Sequence, residues 1–171
     1  MRTIILPGYS ERNKEWGEEL IKSLKLKVKS EISIHYWRHW GKSISSSLSL
    51  REELPKILEE IGTDGVNIIA KSVGTMVCMH VLQAIPGQIK KIILCGIPST
   101  SDERLGLFKK SLADFPTKNI IVFQNEKDPL GSYKEVKKFM AKVSPKIKVV
   151  KTPRADHHYP YPSEFRSLLK R

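Results

Sequence analysis

The fold of this chain is decided by one stretch, Asn67-Ile68-Ile69-Ala70-Lys71-Ser72-Val73-Gly74-Thr75. It joins a β-rich apolar run directly to a serine, and an apolar helical pattern begins after the serine. A sharp turn from strand to helix lifts a serine hydroxyl clear of a sheet and lets a base approach it. The same turn brings the helix close to the strand, so the residues two before and two after the serine must be small. Ala70 and Gly74 are small, and we therefore interpret the stretch as a nucleophile elbow around Ser72.

Six strand-like runs alternate with helical patterns along the chain. The runs span Thr3 to Leu6, Glu31 to Trp37, Val66 to Ala70, Lys90 to Cys95, Asn119 to Gln124 and Lys146 to Lys151. This alternation favours a parallel sheet with right-handed crossovers. We predict an α/β fold, a three-layer doubly wound sandwich of about six parallel strands with helices on both faces. The sequence shows neither repeats nor an interdomain linker, so residues 1–171 are expected to form one domain.

The helical segments carry further predictions. Ser49 and Glu52 have the spacing of a capping box, and Pro55 predicts that this second helix starts late or kinks. Residues Ile97 to Pro116 are the only room for a cap over the site, with an apolar underside that could come from Leu105, Leu107 and Phe108. A cap this short implies an open site.

Composition limits the partners and the compartment. The 171 residues include 30 Lys+Arg against 18 Asp+Glu, a formal charge of +12. The lysines are spread without a basic tract carrying interleaved aromatics, so we expect a solvated surface rather than a nucleic-acid site. No apolar run reaches the roughly 20 residues that span a bilayer, and Pro7-Gly8 comes too early for a signal peptide. We expect a cytoplasmic protein without a membrane partner, a monomer or homodimer, with buried free thiols at Cys78 and Cys95.

Two later strands end in residues that could act with Ser72. The fifth strand runs into a loop containing Asp128, a carboxylate that could orient an imidazole, and the sixth runs into a loop containing His157, the candidate base. A nucleophile, a base and an orienting acid at the carboxyl ends of neighbouring strands are typical of covalent acyl transfer.

Each of these candidates has an alternative. Ser72 could merely cap the following helix, and Asp128 could be only a turn residue. Asp102, after the fourth strand, is a second candidate acid. His158 is the alternative base, whereas Asp156 is expected to shape the loop.

The serine, the acid and the histidine follow one another in this order along the chain. In this respect the chain resembles the α/β-hydrolase superfamily over almost its whole length. The first strand ends in Leu6-Pro7-Gly8-Tyr9, similar to the turn that lends a backbone N–H to the oxyanion hole. Ala155-Asp156-His157 is similar to the frequent Gly-Ala-Asp-His ending, which favours His157 over His158. In size, the chain resembles the minimal serine hydrolases of the retinoblastoma-binding protein 9 and YdeN-like families. It departs from the superfamily pattern at Pro7, Ala70 and Arg154, and none of these changes removes a catalytic atom.

The resemblance implies a serine hydrolase that cleaves small carboxylic esters or thioesters through Ser72, His157 and Asp128, with an acyl-enzyme intermediate. The backbone N–H groups of Tyr9 and Val73 would form the oxyanion hole. No metal or organic cofactor is needed for this chemistry.

Substrate recognition and function leave alternatives. Trp37 and Trp40 could line a substrate pocket, although aromatic packing against neighbouring loops fits them equally. Lys71 is interpreted as a solvent-facing residue whose charge could favour anionic substrates. A binding or scaffold protein on the same fold, with an unused triad, is the competing function, because a fold does not establish activity.

Overall fold

The computed structural model describes residues 2–25, 31–41 and 47–170. These ranges contain a six-stranded sheet in the order β2-β1-β3-β4-β5-β6, in which every neighbouring pair is parallel. The strands are β1 Arg2–Leu6, β2 Ile32–Ile34, β3 Val66–Lys71, β4 Ile89–Cys95, β5 Ile120–Asn125 and β6 Lys148–Thr152. The helices are α1 Asn13–Lys25, α2 Leu50–Ile61, α3 Val73–Ala84, α4 Asp102–Leu112, α5 Tyr133–Val143 and α6 Pro162–Leu169. The predicted α/β sandwich is confirmed.

Alternation along the central strands divides the core between the two faces of the sheet. Ile68 and Ile92 pack with residues from α2, α3, α4 and α5, whereas Ile69 and Ile93 pack with residues from α1 and α6. Successive side chains of a strand point to opposite faces, and both faces are covered, so these strands are apolar at consecutive positions. The ligand-binding edge expected of such a sheet is therefore at the carboxyl ends of the strands.

Helix α1 shows how the amphipathic pattern is used. Trp16, Leu20 and Leu24 are buried against the sheet, as their spacing predicts, and Ile21 packs beside them. Trp16 also donates its indole N–H to the Tyr159 carbonyl at 3.0 Å, which ties α1 to the segment that precedes α6.

The start of α2 differs from the sequence prediction. Ser49 makes no side-chain cap hydrogen bond, and its carbonyl instead accepts the N–H groups of Glu52 and Glu53. The Glu52 carboxylate pairs with Arg38 at 3.2 Å, so it is not folded back as a capping box requires. The predicted late start is also wrong, because α2 begins at Leu50 and runs through Pro55.

The segment that offered the only room for a cap, Ile97 to Pro116, is part of the sandwich. Its central residues form α4, which contacts α3 and α5. Phe108 is fully buried, with its ring 5.2 Å from that of Phe139 in an edge-on arrangement. Burying an aromatic side chain of this size favours the packed helix over a detached lid.

The surface agrees with the dispersed charge of the sequence. Lys134, Lys137 and Lys138 of α5 are exposed, and so are Lys148 and Lys151 on the edge strand β6. Charged side chains on an edge strand disfavour pairing with another chain. Within the described ranges, no helix combines the length and the apolar character that a membrane crossing requires.

Candidate active site

Ser72 occupies the turn between β3 and α3 in a conformation that is unusual for serine. Its backbone angles are φ 56° and ψ −124°, and it is the one non-glycine residue with positive φ in the part of the chain that the structure describes. Its N–H donates to the Cys95 carbonyl at 3.0 Å, which holds the turn against the end of β4. The side chain makes no cap hydrogen bond to α3, so the helix-cap interpretation of Ser72 is wrong. Strain of this kind persists only where the surrounding structure imposes it.

Gly74 shows why the elbow needs a small residue two positions after the serine. A Cβ atom at Gly74 would lie 2.1 Å from the Leu6 carbonyl oxygen and 2.8 Å from that of Pro7. The first turn of α3 therefore rests directly on the backbone at the end of β1. This close approach also sets Ser72 beside the turn Pro7-Gly8-Tyr9.

Asp128 and His157 form a hydrogen-bonded pair at the neighbouring strand ends. His157 Nδ1 lies 2.7 Å from Asp128 Oδ2, and the Asp128 residue is only 4% exposed. The other carboxylate oxygen, Oδ1, accepts the N–H of Leu130 at 2.9 Å. With Nδ1–H donated to a carboxylate, the imidazole has its Nε2 atom free to accept a proton.

The Nε2 atom of His157 is buried and has no hydrogen-bond partner among the described residues. The ring lies against Gly96, whose φ is 63° and where a Cβ atom would be 2.8 Å from His157 Cε1. Gly96 directly follows Cys95, whose carbonyl holds the Ser72 backbone. The imidazole therefore packs against the residue that follows the anchor of the elbow, and no hydrogen bond joins Nε2 to Ser72 among the described residues.

Among the described residues, neither the alternative acid nor the alternative base shares the hydrogen bond that joins Asp128 to His157, although His158 lines the same cleft as His157. Asp102 is exposed at the first turn of α4, and it is Asp128 that bonds His157. Asp156 pairs with Arg154 and accepts the His158 N–H at 3.1 Å, so it shapes the loop as predicted. Burial, reinforced by the charges of Lys71 and Arg154, lowers the pKa of His158.

Two buried residues that sequence reasoning missed hold this pair in place. Tyr159 donates its O–H to Asp128 Oδ2 at 2.5 Å and accepts the Asn125 N–H at 3.1 Å. The Asn125 side chain donates to the carbonyls of Asp156 and His158, at 2.7 and 2.8 Å, on either side of His157. These bonds join residues about thirty positions apart, so the sequence contains no local spacing that could have indicated them.

The candidate oxyanion donors lie on the two turns that flank Ser72. Val73 begins α3, where backbone N–H groups have no partner within the helix. Tyr9 follows the Pro7-Gly8 turn, and its carbonyl accepts hydrogen bonds from His39 Nε2 and Trp40 Nε1, both at 2.8 Å. Within the described ranges, the N–H of neither Tyr9 nor Val73 donates to a protein acceptor.

The tryptophans support this turn. Trp37 is 2% exposed and donates its indole N–H toward the Pro7 and Gly8 carbonyls at 3.3 and 3.1 Å. It therefore lies in the core beneath the turn and offers no surface for a pocket wall. Trp40 is partly buried and packs beside the same core. Packing, the alternative that the sequence left open for both residues, describes them better.

Lys71 is buried rather than solvent-facing, because β3 extends through it and turns its side chain toward α1. The residue is 5% exposed, and its Nζ atom donates to Asn13 Oδ1 at 2.6 Å. Burial lowers the pKa of Lys71, with Cys95, Asp128 and Asp156 acting in the opposite direction. Lys71 and His157 line a common cleft of about 650 Å³.

Solved structures match nearly all of this architecture. A protein described as a YdeN-like hydrolase from Pectobacterium atrosepticum superposes with a TM-score of 0.70 over 99% of this chain and 89% of its own, at 18% identity. An α/β serine hydrolase without a lid from Xanthomonas campestris gives 0.65 over 99% and 78%, at 16% identity. Mouse α/β hydrolase domain-containing protein 10 gives 0.67 over 99% and 89%, at 13% identity. This chain has the α/β-hydrolase fold.

Comparisons of the sequence with family profiles and with curated protein sequences find no match. At 13–18% identity the likeness rests on the backbone, so it establishes the hydrolase fold and leaves the chemistry to the residues of this chain.

Proposed function

We propose that this protein is a serine hydrolase that cleaves small carboxylic esters or thioesters. The observation that carries the proposal is the strained backbone of Ser72 at the strand-to-helix turn, beside a histidine that is bonded to a buried aspartate. A buried Nε2 atom without a protein partner supports the role of His157 as the base. The hydrolase fold of the neighbouring structures is consistent with this chemistry.

The reaction starts with attack of Ser72 Oγ on the substrate carbonyl carbon while His157 Nε2 takes the serine proton. The tetrahedral intermediate collapses by breaking the bond to the alcohol or thiol, which leaves with the proton from Nε2. Water then attacks the acyl-enzyme, with His157 again accepting a proton, and the carboxylic acid is released as Ser72 is restored. Asp128 holds the imidazole in orientation and stabilises its charged form.

The negative oxygen of the intermediate is stabilised by the backbone N–H groups of Val73 and Tyr9. Val73 also lies at the positive end of the α3 dipole. Loss of one such donor typically costs about 3 kcal/mol of transition-state stabilisation. Packing of α4 within the sandwich supports an open site suited to small substrates, and the relative from Xanthomonas is likewise described as lacking a lid.

The decisive experiment combines a fluorophosphonate probe with short p-nitrophenyl esters. We expect the wild-type protein to be labelled and to hydrolyse the esters, and Ser72→Ala to lose both properties without unfolding, because it removes one oxygen. Ser167→Ala, on the exposed face of α6, is the matched control and should be labelled like wild type. A folded wild-type protein that the probe does not label would instead favour a binding or scaffold protein.

The same assay identifies the base. We expect His157→Ala to match Ser72→Ala in lost hydrolysis. His158→Ala should retain most of the activity, because no carboxylate of the described residues bonds its ring as Asp128 bonds that of His157. Loss of activity in His158→Ala alone would move the base by one position.

A further inference from the structure

Lys71 presents a buried ammonium group at the edge of the candidate active site. Among the described residues, its Nζ atom has one hydrogen-bond acceptor, Asn13 Oδ1, and it lies 5.1 Å from the centre of the Trp16 ring. The Asn13 amide is held in this orientation because its Nδ2 donates to the Ser10 carbonyl at 2.8 Å. The ammonium is therefore fixed by a neutral amide and an aromatic face.

None of the ion pairs within the described ranges includes Lys71. An ammonium carries three donors, and among the described residues only one of them is used. Burying a charge is costly, so such groups are normally paired directly with a carboxylate. Asp128 and Asp156 favour the charged form of Lys71 without forming an ion pair with it, so its remaining donors can bind an anionic ligand.

The cleft beside Lys71 gives a ligand access to this charge. Its other charged residues, Arg12, Glu15 and Glu19, are exposed at its rim, where solvent screens them. Asp156 is already paired with Arg154. His157 lines the same cleft, and Lys71 directly precedes Ser72 in the chain, so a molecule that reacts at Ser72 can extend a substituent toward Lys71.

We propose that Lys71 is the specificity-determining residue of the site and binds an anionic substituent, a carboxylate, carried by the ester substrate. This inference rests on the proposed serine hydrolase function. The carboxylate accepts hydrogen bonds from Nζ, forms the direct ion pair that the described carboxylates do not form, and orients the ester relative to Ser72 and His157. It is carried either by the acyl chain or by the alcohol.

The test uses two pairs of esters in which a carboxylate is exchanged for a carboxamide of the same shape. p-Nitrophenyl hemiglutarate and p-nitrophenyl 4-carbamoylbutanoate vary the acyl side, and 4-carboxyphenyl acetate and 4-carbamoylphenyl acetate vary the leaving group. We expect the wild-type enzyme to favour the carboxylate in at least one pair. That kcat/KM ratio should fall about tenfold or more in Lys71→Met, since hydrogen bonds to charged groups are among the strong ones.

Lys14→Met is the matched control. Like Lys71→Met, it removes one positive charge, but from the surface of α1. Lys14 is exposed there and lies over the ring of Tyr36, outside the cleft. Its selectivity ratios should equal those of wild type. Lys71→Gln replaces Lys71→Met if the latter does not fold.

A binding measurement separates this inference from the hydrolase proposal. Glutarate and 4-hydroxybenzoate are titrated into Ser72→Ala and into Ser72→Ala/Lys71→Met and followed by NMR. Weaker binding of either anion to the double variant supports the subsite even if the wild type hydrolyses none of the four esters. Equal binding together with unchanged selectivity ratios would overturn it.

Discussion

At the scale of single residues, the arrangement of the candidate site depends on Asp128 Oδ2, which accepts hydrogen bonds from both His157 and Tyr159. Burial, with the neighbouring Asp128 carboxylate, raises the pKa of Tyr159, so its hydroxyl keeps the proton that it donates. This hydrogen bond holds the carboxylate in the orientation in which it meets His157 Nδ1. Tyr159 is thus a positioning residue that acts through Asp128.

We predict that Tyr159→Phe lowers kcat/KM for a neutral p-nitrophenyl ester by about tenfold. Without the hydroxyl, Asp128 loses a hydrogen bond that fixes its carboxylate, and His157 is oriented less firmly toward the elbow. A hydrogen bond to a charged group contributes about 1.5–3 kcal/mol, which sets the size of the expected loss.

Tyr161→Phe is the control for this variant. Tyr161 donates to Asn125 Oδ1 at 2.8 Å, so the substitution removes a hydroxyl from the same network without touching Asp128. Its kcat/KM should stay near the wild-type value. An equal loss of kcat/KM in the two variants would mean that the network acts only through general stability.

The cysteines are a simpler case at this scale. Cys78 and Cys95 are buried free thiols, as predicted. Burial raises the pKa of Cys95 to about 12 and that of Cys78 further, so neither forms a reactive thiolate at neutral pH.

At the scale of secondary-structure elements, the site depends on how closely α3 approaches the end of β1. The contact involves backbone atoms on both sides, at Gly74 and at the Leu6 carbonyl, so no side chain can rotate to relieve an added methyl group. Thr75 anchors the same turn of α3 by donating its hydroxyl to the Ser72 carbonyl at 2.6 Å.

We predict that Gly74→Ala destabilises the protein by about 3 kcal/mol or more and abolishes probe labelling of Ser72. The added Cβ overlaps the Leu6 carbonyl and forces α3 away from the sheet. The free energy of unfolding is measured by urea titration.

For Gly106→Ala, in another helix, we expect the opposite effect on the free energy of unfolding. Gly106 lies inside α4, and a Cβ atom there meets nothing within 4 Å. Replacing a mid-helix glycine by alanine should stabilise the protein by about 0.5–1 kcal/mol and leave labelling intact. Similar stability losses in the two variants would contradict the close-approach argument.

At the scale of the whole molecule, the formal charge of +12 adds a long-range field to the local effect of Lys71. Exposed lysines such as Lys137 and Lys148 act through solvent, and their influence weakens as salt shortens the Debye length. A buried contact is screened much less. Salt can therefore separate the two contributions.

We predict that the preference for anionic esters that remains in Lys71→Met declines when salt rises from about 0.1 M to 1 M, as the Debye length falls from about 10 Å to 3 Å. Wild type should exceed Lys71→Met in the kcat/KM ratio of carboxylate over carboxamide ester, and the factor between their two ratios should change much less with salt. Both ratios are measured with the matched esters. A residual preference insensitive to salt would show that the dispersed lysines do not influence substrate choice.

The sequence by itself determined the strand order along the chain, the α/β class and the elbow, because each depends on local spacing. Short apolar runs between helical patterns mark the six strands, and small residues on both sides of Ser72 mark the turn. Asp128 and His157 could be predicted as the acid and the base because each lies just beyond a strand, and parallel strands bring their carboxyl ends to one edge of the sheet. Their roles stay predictions until the variants are measured.

Only the tertiary structure decided which side chains surround these residues. Trp37 lies in the core, Glu52 pairs with Arg38 instead of capping α2, and α4 packs in the sandwich. Each of these outcomes depends on a contact with a residue that is distant in sequence. Asn125 and Tyr159 meet the histidine loop through hydrogen bonds between strand ends that are distant in sequence. The burial of Lys71 has the same origin, because a lysine at the end of a strand becomes buried only when α1 covers it. Periodicity reports which face of an element is apolar, whereas polar partners depend on distances that exist only after the chain has folded.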